Sequence, residues 1–210
     1  MVVSCIEKLI EIASVAQCSE RPSDHEGYKG NCFAELLRLC ARRNGFFAFE
    51  SALHVFPIAR SCGEMTFQSW NSLATWKHAY DGLVDNVMFF AEDIFGDQFG
   101  IANDAVVLFR SETGEIEPVA ASLEEWACEV LVDFENLTGY GVAHEWQLAR
   151  GPIARGMRLT GKTPFVLGGS YELANLYVVD SVSLMRLRGD IYGQIRHLPD
   201  GAHVKVRVER

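Results

Sequence analysis

The sequence predicts an α+β fold in which an antiparallel or mixed central sheet is flanked by helices and followed by a C-terminal α/β extension. Three observations predict it: short apolar runs separated by turn residues across residues 86–120, apolar residues at helical spacing near the N-terminus, and a capping-box pattern after the last run. The chain has 210 residues, 49% of them hydrophobic and 22% charged, which is ordinary globular usage. We therefore expect one domain with an extension.

Two helices are predicted before the sheet. In residues 2–17 apolar side chains recur at helical spacing, with polar residues between them. Residues 19–30 contain one proline and two glycines among polar residues, which indicates a loop. Asn31 is expected to cap the second helix, and Asn44-Gly45 is expected to end it.

The next segment is rich in aromatic residues. Residues 46–58 favour a short edge strand or an ordered loop. A third helix is expected to start at Ser69 or Asn71. Its apolar side would carry Leu73, Trp76, Ala79 and Tyr80. Trp70 and Trp76 are predicted to be core or interface anchors.

The most regular pattern in the chain is a series of short apolar runs. The runs cover residues 87–91, 93–97, 98–102, 105–109 and 115–119. Asn103-Asp104 and Thr113-Gly114 separate the later runs, as tight turns do in an antiparallel meander. We expect these runs to form the central sheet.

A capping box begins the next helix, because Ser122 is followed three residues later by Glu125. The helix is predicted over residues 123–137. Its core side would carry Leu123, Trp126, Val130 and Phe134. Its outward side would carry Glu124, Glu125, Glu129 and Asp133.

The C-terminal part has a looser pattern. Residues 164–167 and 176–179 are predicted to be buried strands, whereas residues 181–188 fit neither a helix nor a strand clearly. An Asp200-Gly201 turn leads into residues 202–208, where valines alternate with charged residues as in an edge strand.

The six cysteines, at positions 5, 18, 32, 40, 62 and 128, include no Cys-x-x-Cys pair. Reduced and mostly buried thiols are expected, although the even number leaves a disulfide framework possible. No apolar run approaches the length that spans a bilayer, and the N-terminus lacks the pattern of a secretory signal. We therefore expect a cytoplasmic protein with no membrane partner.

Charge is distributed unevenly along the chain. Residues 78–149 contain fifteen acidic residues and one basic residue, Arg110, whereas residues 150–210 contain ten basic and five acidic residues. The acidic segment argues against a nucleic-acid partner and favours a basic protein partner. Alternatively, part of this charge is a solvated face or pairs internally with the C-terminal arginines. Those arginines are Arg155, Arg158, Arg186 and Arg188.

Signals for catalysis are few. The six histidines form no pattern typical of metal ligands, and no nucleophile elbow is present, so no metal, cofactor or catalytic residue is predicted. One alternative remains open. Glu92, Asp93 and Asp97 lie close together in a hairpin and could provide a general acid and base pair.

The run FFAEDIFGDQF at residues 89–99 resembles the hallmark hairpin of the SUKH superfamily. Further segments follow in the order of that family. They are Arg43-Asn44-Gly45, residues 70–80, residues 106–109, Thr113-Gly114 and Leu123-Glu124-Glu125-Trp126. The resemblance covers residues 30–137. The Leu-Pro pair that often precedes the second helix in that family is absent, and Cys32-Phe33 stands there instead.

The resemblance implies three regions. Residues 1–29 form an N-terminal helix and loop, residues 30–137 a SUKH-like core, and residues 138–210 an extension packed on the same domain. Within the hairpin, Gly96 is expected to adopt a positive φ, Phe89 and Phe99 to pack as cross-strand neighbours, and Asp97 to bind the turn amides. Structural roles are predicted for Phe89, Gly96, Phe99, Trp70, Trp76, Gly114 and Trp126.

The SUKH superfamily includes bacterial immunity proteins and fungal cell-wall assembly regulators. The resemblance therefore implies a non-enzymatic module that neutralises a bacterial toxin, such as a nuclease, by direct binding. Candidate partner-binding residues are Glu92, Asp93, Asp97, Asp81, Asp85, Glu124 and Glu125. A regulatory scaffold is the first alternative, and a hydrolase using Glu92 and Asp93 is the second.

Overall fold

A computed structural model describes residues 3–22, 29–60, 62, 65–199 and 201–202. These residues form a six-stranded sheet, a two-stranded sheet and seven α-helices, which confirms the α+β class with a central sheet flanked by helices. The strands are β1 (Phe46–Ala48), β2 (Leu53–Val55), β3 (Met88–Asp93), β4 (Gln98–Ala102), β5 (Ala105–Phe109), β6 (Ile116–Ala120), β7 (Met157–Gly161) and β8 (Leu176–Asp180). The helices are α1 (Cys5–Ile12), α2 (Asn31–Arg42), α3 (Phe67–Trp70), α4 (Leu123–Val132), α5 (Phe134–Thr138), α6 (Tyr140–Arg150) and α7 (Ser181–Ile195). The edge strand expected at residues 202–208 lies almost entirely outside the described residues.

The central sheet is an antiparallel meander with the order β1-β2-β3-β4-β5-β6. Strands β3 to β6 lie within two residues of the predicted runs, except that residues 94–97 form the turn of the hairpin rather than a strand. Residues 46–58 form two paired strands instead of one edge strand or loop. The sequence did not show this second hairpin because its turn, at residues 49–51, has positive φ without a glycine.

The aromatic residues of the hairpin point to both faces of the sheet. Phe90 and Phe99 pack against Trp126, with ring centroids 4.9 and 5.7 Å from it. Phe89 packs on the opposite face, 5.3 Å from Trp76. The expectation that Phe89 and Phe99 are cross-strand neighbours is therefore wrong, because a register shift between β3 and β4 pairs Phe89 with Gly100.

The predicted core anchors lie in the interior. Trp70, Trp76 and Trp126 are 0% exposed, and Phe89 and Phe99 are also fully buried. They belong to one large cluster between the central sheet, the N-terminal helices and α4. A second cluster, which includes Trp146 and Leu159, packs the C-terminal elements against Ala52 and Ile94 of the core.

The N-terminal helices are shorter than predicted, or are capped differently. Helix α1 covers residues 5–12 only, with Ser4 as its N-cap. Gly30, not Asn31, holds the N-cap position of α2, and it forms no side-chain cap. The carboxylate of Asp104, in the β4–β5 turn, accepts the Cys32 amide at 2.9 Å instead. A residue distant in sequence thus replaces the local cap.

The single helix expected after Ser69 or Asn71 does not form. The chain makes the short helix α3 and then a 3-10 helix at Lys77–Tyr80, with turns between them. Trp76 and Tyr80 are buried as predicted, but Leu73 is exposed. Asn71 instead fixes β3, because its side chain bonds both the amide and the carbonyl of Phe89.

The helix predicted over residues 123–137 is interrupted at Asp133, where α4 ends and α5 begins. Ser122 accepts the Glu125 amide at 3.1 Å, which is one half of the predicted capping box, whereas the Glu125 side chain accepts the amide of Ala121 rather than that of Ser122. The predicted core side of α4 is confirmed for Leu123, Trp126 and Val130, which are buried.

The C-terminal extension differs most from its prediction. Residues 164–167 are not a buried strand, since Phe165–Leu167 forms a 3-10 helix with no buried residue. Strand β8 pairs with β7, but most of it is exposed. Residues 181–188 belong to α7, which Asp180 caps through the Ser183 amide at 2.9 Å. Helix α7 packs on the 3-10 helix at Lys77–Tyr80 and on strands β7 and β8. Because these contacts come from three different elements, the burial of α7 could not be inferred from its own sequence.

One disulfide is present among the described residues. Cys5 of α1 and Cys128 of α4 are bonded, with their Cα atoms 5.1 Å apart and a sequence separation of 123. The expectation of reduced thiols is wrong for this pair, because the packing of α1 on α4 brings the two sulfurs together. Cys18, Cys32 and Cys40 are buried thiols, as predicted.

Candidate functional site

A cavity of about 590 Å³ lies at one end of the central sheet. The meander places the β3–β4 turn and the β5–β6 turn at this end, and both line the cavity. Its other walls come from residues 135–142, residues 165–171 and α7. We call it the acidic cavity, after the carboxylates that line it: Asp93, Asp97, Glu112, Glu115 and Glu135. Its volume is within the range typical of ligand sites.

Asp93 holds the β3–β4 turn. Its Oδ1 accepts hydrogen bonds from the amides of Phe95, at 2.9 Å, and Asp97, at 2.8 Å. Gly96 has a φ of 85°, as predicted. The role of binding the turn amides, which we expected of Asp97, therefore belongs to Asp93. The second oxygen, Oδ2, accepts no hydrogen bond from the residues that the structure describes.

The environment of Asp93 favours its protonated form. The residue is 4% exposed, and burial raises the pKa of its carboxyl group well above the ordinary value. The charge of Asp97 raises that pKa further, whereas the Asp97 amide, Arg188 and Arg158 lower it in part. A cation bound beside Oδ2 would offset the effect of burial and favour the ionised form.

Asp97 and Glu112 are held by arginines. Asp97 Oδ1 accepts both the amide and the hydroxyl of Ser111 at 2.9 Å, and Arg110 lies 3.3 Å from Oδ2. Arg188, whose side chain is 3% exposed, lies 3.1 Å from Glu112 and 3.8 Å from Asp97. Glu112 also accepts the Val166 amide at 2.7 Å, which joins the β5–β6 turn to the C-terminal extension.

Three aromatic rings form one wall of the acidic cavity. Phe165 and Tyr171 are stacked, with centroids 4.1 Å apart and an interplanar angle of 11°. The Phe95 ring meets both edge-on, at 5.4 and 5.0 Å. Tyr171 is 53% exposed, so this wall is open to incoming molecules. Aromatic faces beside carboxylates are a favourable environment for a cation.

The cavity has more acidic than basic groups. Five carboxylates line it, against the two guanidinium groups of Arg110 and Arg188. Both arginines already contact carboxylates. Glu115 and Glu135 form no ion pair with any residue in the described part of the chain. The surplus favours a cationic ligand over an anionic one.

Glu92, predicted to contact a partner, lies in the interior. It is 1% exposed, with Arg158 at 2.7 Å and His54 at 3.0 Å. Burial raises the pKa of Glu92, but Arg158 and His54 more than offset this and hold it below the ordinary value. Glu92 does not line the acidic cavity. Glu92 and Asp93 are neighbours in a strand and point in different directions, so they do not form an acid and base pair.

The other predicted binding residues are dispersed. Asp81 and Asp85 are exposed, and Asp81 is 2.9 Å from Arg196. Glu124 binds the amides of Cys5 and Ile6 at the start of α1. Glu125 accepts the Ala121 amide at 2.7 Å. Of the seven predicted residues, only Asp93 and Asp97 line the acidic cavity.

Gly114, predicted to be structural, permits the β5–β6 turn to lie close to α7. Its φ is 77°, and a side chain there would collide with the Tyr192 ring of α7. The β5–β6 turn is thus fixed against α7, which also supplies Arg188. This contact positions one wall of the acidic cavity.

One cluster among the described residues has the composition of a metal site. Cys5, Glu124 and Cys128 have ligand atoms within 4.8 Å of one another. Both sulfurs are in the disulfide, however, and zinc requires thiolates. While Cys5 and Cys128 form the disulfide, the cluster has no thiolate to bind zinc.

The comparisons with known proteins give a fold but no family. No family model matches the chain, and no curated protein matches it. The crystal structure of Atu4351 from Agrobacterium tumefaciens is similar in fold, with a TM-score of 0.58 over 87% of each chain and 12% sequence identity. No helix in the described part of the chain is long and apolar enough to cross a membrane.

The sequence predicted only Asp93 and Asp97 among the residues that line the cavity as binding residues. Glu112, Glu115 and Glu135 were counted only as part of the acidic segment, Phe165 was predicted only as part of a strand, and Tyr171 had no assigned role. Arg188 was considered only as one possible internal partner of the acidic segment. That reading is confirmed for Arg158 and Arg188, which both contact carboxylates.

Proposed function

We propose that this protein is a non-catalytic binding module that recognises a basic protein partner through the acidic cavity. The observation that carries the proposal is the cavity itself, which combines surplus carboxylates with an aromatic wall. As the SUKH resemblance implies, the partner is a bacterial toxin that is neutralised by direct binding. Nuclease toxins have cationic substrate grooves, and an acidic inhibitor occupies such a groove by charge complementarity.

The proposed docking surface differs from the one expected from sequence. Glu92 is buried and paired, so it offers no charge to a partner. The rim residues Glu115 and Glu135 are exposed instead and carry unpaired charge toward the cavity mouth. Charges at a rim act mainly by increasing the association rate, and salt weakens this effect.

The first test compares two charge-neutral double variants. Glu115→Gln with Glu135→Gln removes the rim charges, whereas Glu129→Gln with Glu145→Gln removes two exposed charges that do not line the cavity. The partner is the protein encoded beside the gene, and binding kinetics are measured at low and high salt. We expect the rim variant to slow association several-fold and to reduce its salt dependence.

The control variant changes the net charge equally and should bind like the original protein. Equal effects of the two variants would show that net charge, rather than this surface, governs binding. Absence of a complex at low salt with the neighbouring protein would contradict the immunity role.

A regulatory scaffold would use the same chemistry of surface recognition. The two roles differ in the identity of the protein bound, so affinity purification from the native host separates them. Recovery of a toxic effector supports immunity, and recovery of host biosynthetic enzymes supports a scaffold.

A hydrolase is favoured by one observation, the raised pKa of Asp93 beside Asp97 in a cavity. Such a pair would supply a general acid and a general base. The test is turnover of chromogenic ester, glycoside and phosphate substrates. Turnover that Asp93→Asn and Asp97→Asn each abolish would replace the binding proposal with an enzyme.

A further inference from the structure

We propose that the acidic cavity receives an arginine side chain of the protein partner, with its guanidinium group between Asp93 and the stacked rings of Phe165 and Tyr171. The inference rests on the proposed function and names the chemical group that is recognised. Three features of the cavity carry it: a carboxylate oxygen on its lining that accepts no hydrogen bond from the described residues, a stacked aromatic pair and a surplus of acidic over basic groups.

The hydrogen bonds of Asp93 leave one of its two carboxylate oxygens for a ligand. Its Oδ1 is fully used by the turn amides, whereas Oδ2 has no donor among the described residues. Oδ2 is accessible from the cavity, since it is not one of the fully buried side-chain atoms without a hydrogen-bond partner. Asp93 lines the cavity, so a donor bound there is well placed to satisfy it.

The two arginines of the cavity form their ion pairs with carboxylates other than Asp93. Arg110 contacts Asp97 and Glu117, and Arg188 contacts Asp97 and Glu112. Neither forms an ion pair with Asp93 among the described residues. The carboxylates that remain for a ligand are Asp93 at the buried end and Glu115 and Glu135 at the rim.

The aromatic wall favours an arginine side chain over a lysine side chain. Phe165 and Tyr171 stack face to face, with centroids 4.1 Å apart, so the outer face of the exposed Tyr171 ring is the flat surface on which a planar guanidinium stacks. The same group donates several hydrogen bonds in one plane, which fits a carboxylate at its edge. An ammonium group lacks this planar shape and is more strongly hydrated, so lysine is expected to bind more weakly.

The source of the arginine is a protein and not the free amino acid. Free arginine carries an α-ammonium and an α-carboxylate group, and both would have to lose part of their hydration at the cavity mouth. An arginine within a chain has neutral peptide groups in their place. The cavity, at about 590 Å³, also has room for the neighbouring residues of a partner segment.

The test uses blocked tripeptides and chemical-shift titration of the full protein. The probes are acetyl-Gly-Arg-Gly-amide, the same peptide with citrulline, which is nearly isosteric but neutral, the same peptide with lysine, and free arginine. We expect the arginine peptide to shift the signals of Phe95, Phe165 and Tyr171. The lysine peptide and free arginine should bind more weakly, and the citrulline peptide about tenfold or more weakly.

Two variants and one control locate the site. Asp93→Asn should lower the affinity for the arginine peptide about tenfold, and Tyr171→Leu should lower it several-fold. Tyr171 is exposed at the cavity mouth, so this variant remains informative even if Asp93→Asn fails to fold. Glu145→Gln, outside the cavity, should leave the affinity unchanged.

Several outcomes overturn the inference. They are equal binding of the arginine and citrulline peptides, unchanged affinity in both cavity variants, absence of binding at millimolar peptide, and binding of free arginine as tightly as the peptide. The last outcome would indicate a small-molecule site. A complex with the basic partner that tolerates both Asp93→Asn and Tyr171→Leu would leave the proposed function standing and refute this inference alone.

Discussion

Asp93 is the residue at which stability and binding conflict. Its Oδ1 is necessary for the β3–β4 turn, yet burial raises the pKa of its carboxyl group and favours a proton that a cation-binding residue must lose. An asparagine at this position would keep the Oδ1 acceptor without carrying a charge. The turn by itself therefore does not require a carboxylate at this position.

We expect Asp93→Asn to raise the free energy of unfolding at pH 8. The folded pKa of Asp93 is raised, so its contribution to stability is fully present below about pH 3.8, the unfolded value, and is lost as pH rises toward the folded pKa. The gain from the substitution should grow with pH, by about 1.4 kcal/mol for each pKa unit of the shift. Urea unfolding at pH 4 and pH 8 measures it.

Asp97→Asn is the matched control for this experiment. Asp97 accepts two bonds from Ser111 and contacts both cavity arginines, so its loss should destabilise the protein. A loss of stability at pH 8 in Asp93→Asn, or a difference that does not vary with pH, would contradict our account of Asp93.

At the level of elements, a buried ion pair connects the central sheet to the C-terminal extension. Glu92 of β3 and Arg158 of β7 are both about 1% exposed, and their side chains are 2.7 Å apart. Ser181, at the start of α7, lies 3.3 Å from the same Glu92 oxygen. This pair helps to hold the extension, and therefore the aromatic wall, against the hairpin.

We expect Arg158→Met to lower the free energy of unfolding by about 3–5 kcal/mol, because it leaves the Glu92 charge buried without its main partner. Adding Glu92→Gln should restore much of this loss. A double-mutant cycle by chemical denaturation gives the coupling energy. Strictly additive losses would show that the two side chains act independently.

The same substitution tests the role of the extension in the site. If the pair positions Phe165 and Tyr171, Arg158→Met should also weaken binding of the arginine peptide at temperatures where the protein remains folded. The Glu92→Gln variant alone, which keeps Arg158, should weaken binding less.

At the scale of the whole molecule, the Cys5–Cys128 disulfide joins the N-terminal helix to α4 across 123 residues of sequence. Disulfides persist in oxidising compartments and are rare in the cytosol, so this bond bears on the cellular location. The cytoplasmic location stays a prediction.

Alkylation of the denatured protein, followed by mass spectrometry, should modify four cysteines without reductant and six with it. The double variant Cys5→Ser with Cys128→Ser should lower stability by about 2–5 kcal/mol. It should leave binding of the arginine peptide unchanged, because neither residue lines the acidic cavity. Modification of six cysteines without reductant would show that the bond does not form.

Features that depend on local signals were predictable from the sequence. The meander follows from short apolar runs between turn residues, the start of α4 from Ser122 and Glu125, and the turn at Gly96 from its need for a positive φ. Asp93 and Asp97 of the site were predicted because they belong to that hairpin.

Other features were decided only by tertiary structure. Arg188 meets Asp97 across 91 residues, and Val166 meets Glu112 across 54, so no local pattern indicates these contacts. The burial of Glu92, the aromatic wall and the disulfide likewise depend on elements far apart in the chain. Sequence alone determined strands β3 to β6 and the sign of the charge. Whether a given charge is paired, buried or open to a ligand was decided by packing, because the stability of an ion depends on the groups and solvent around it.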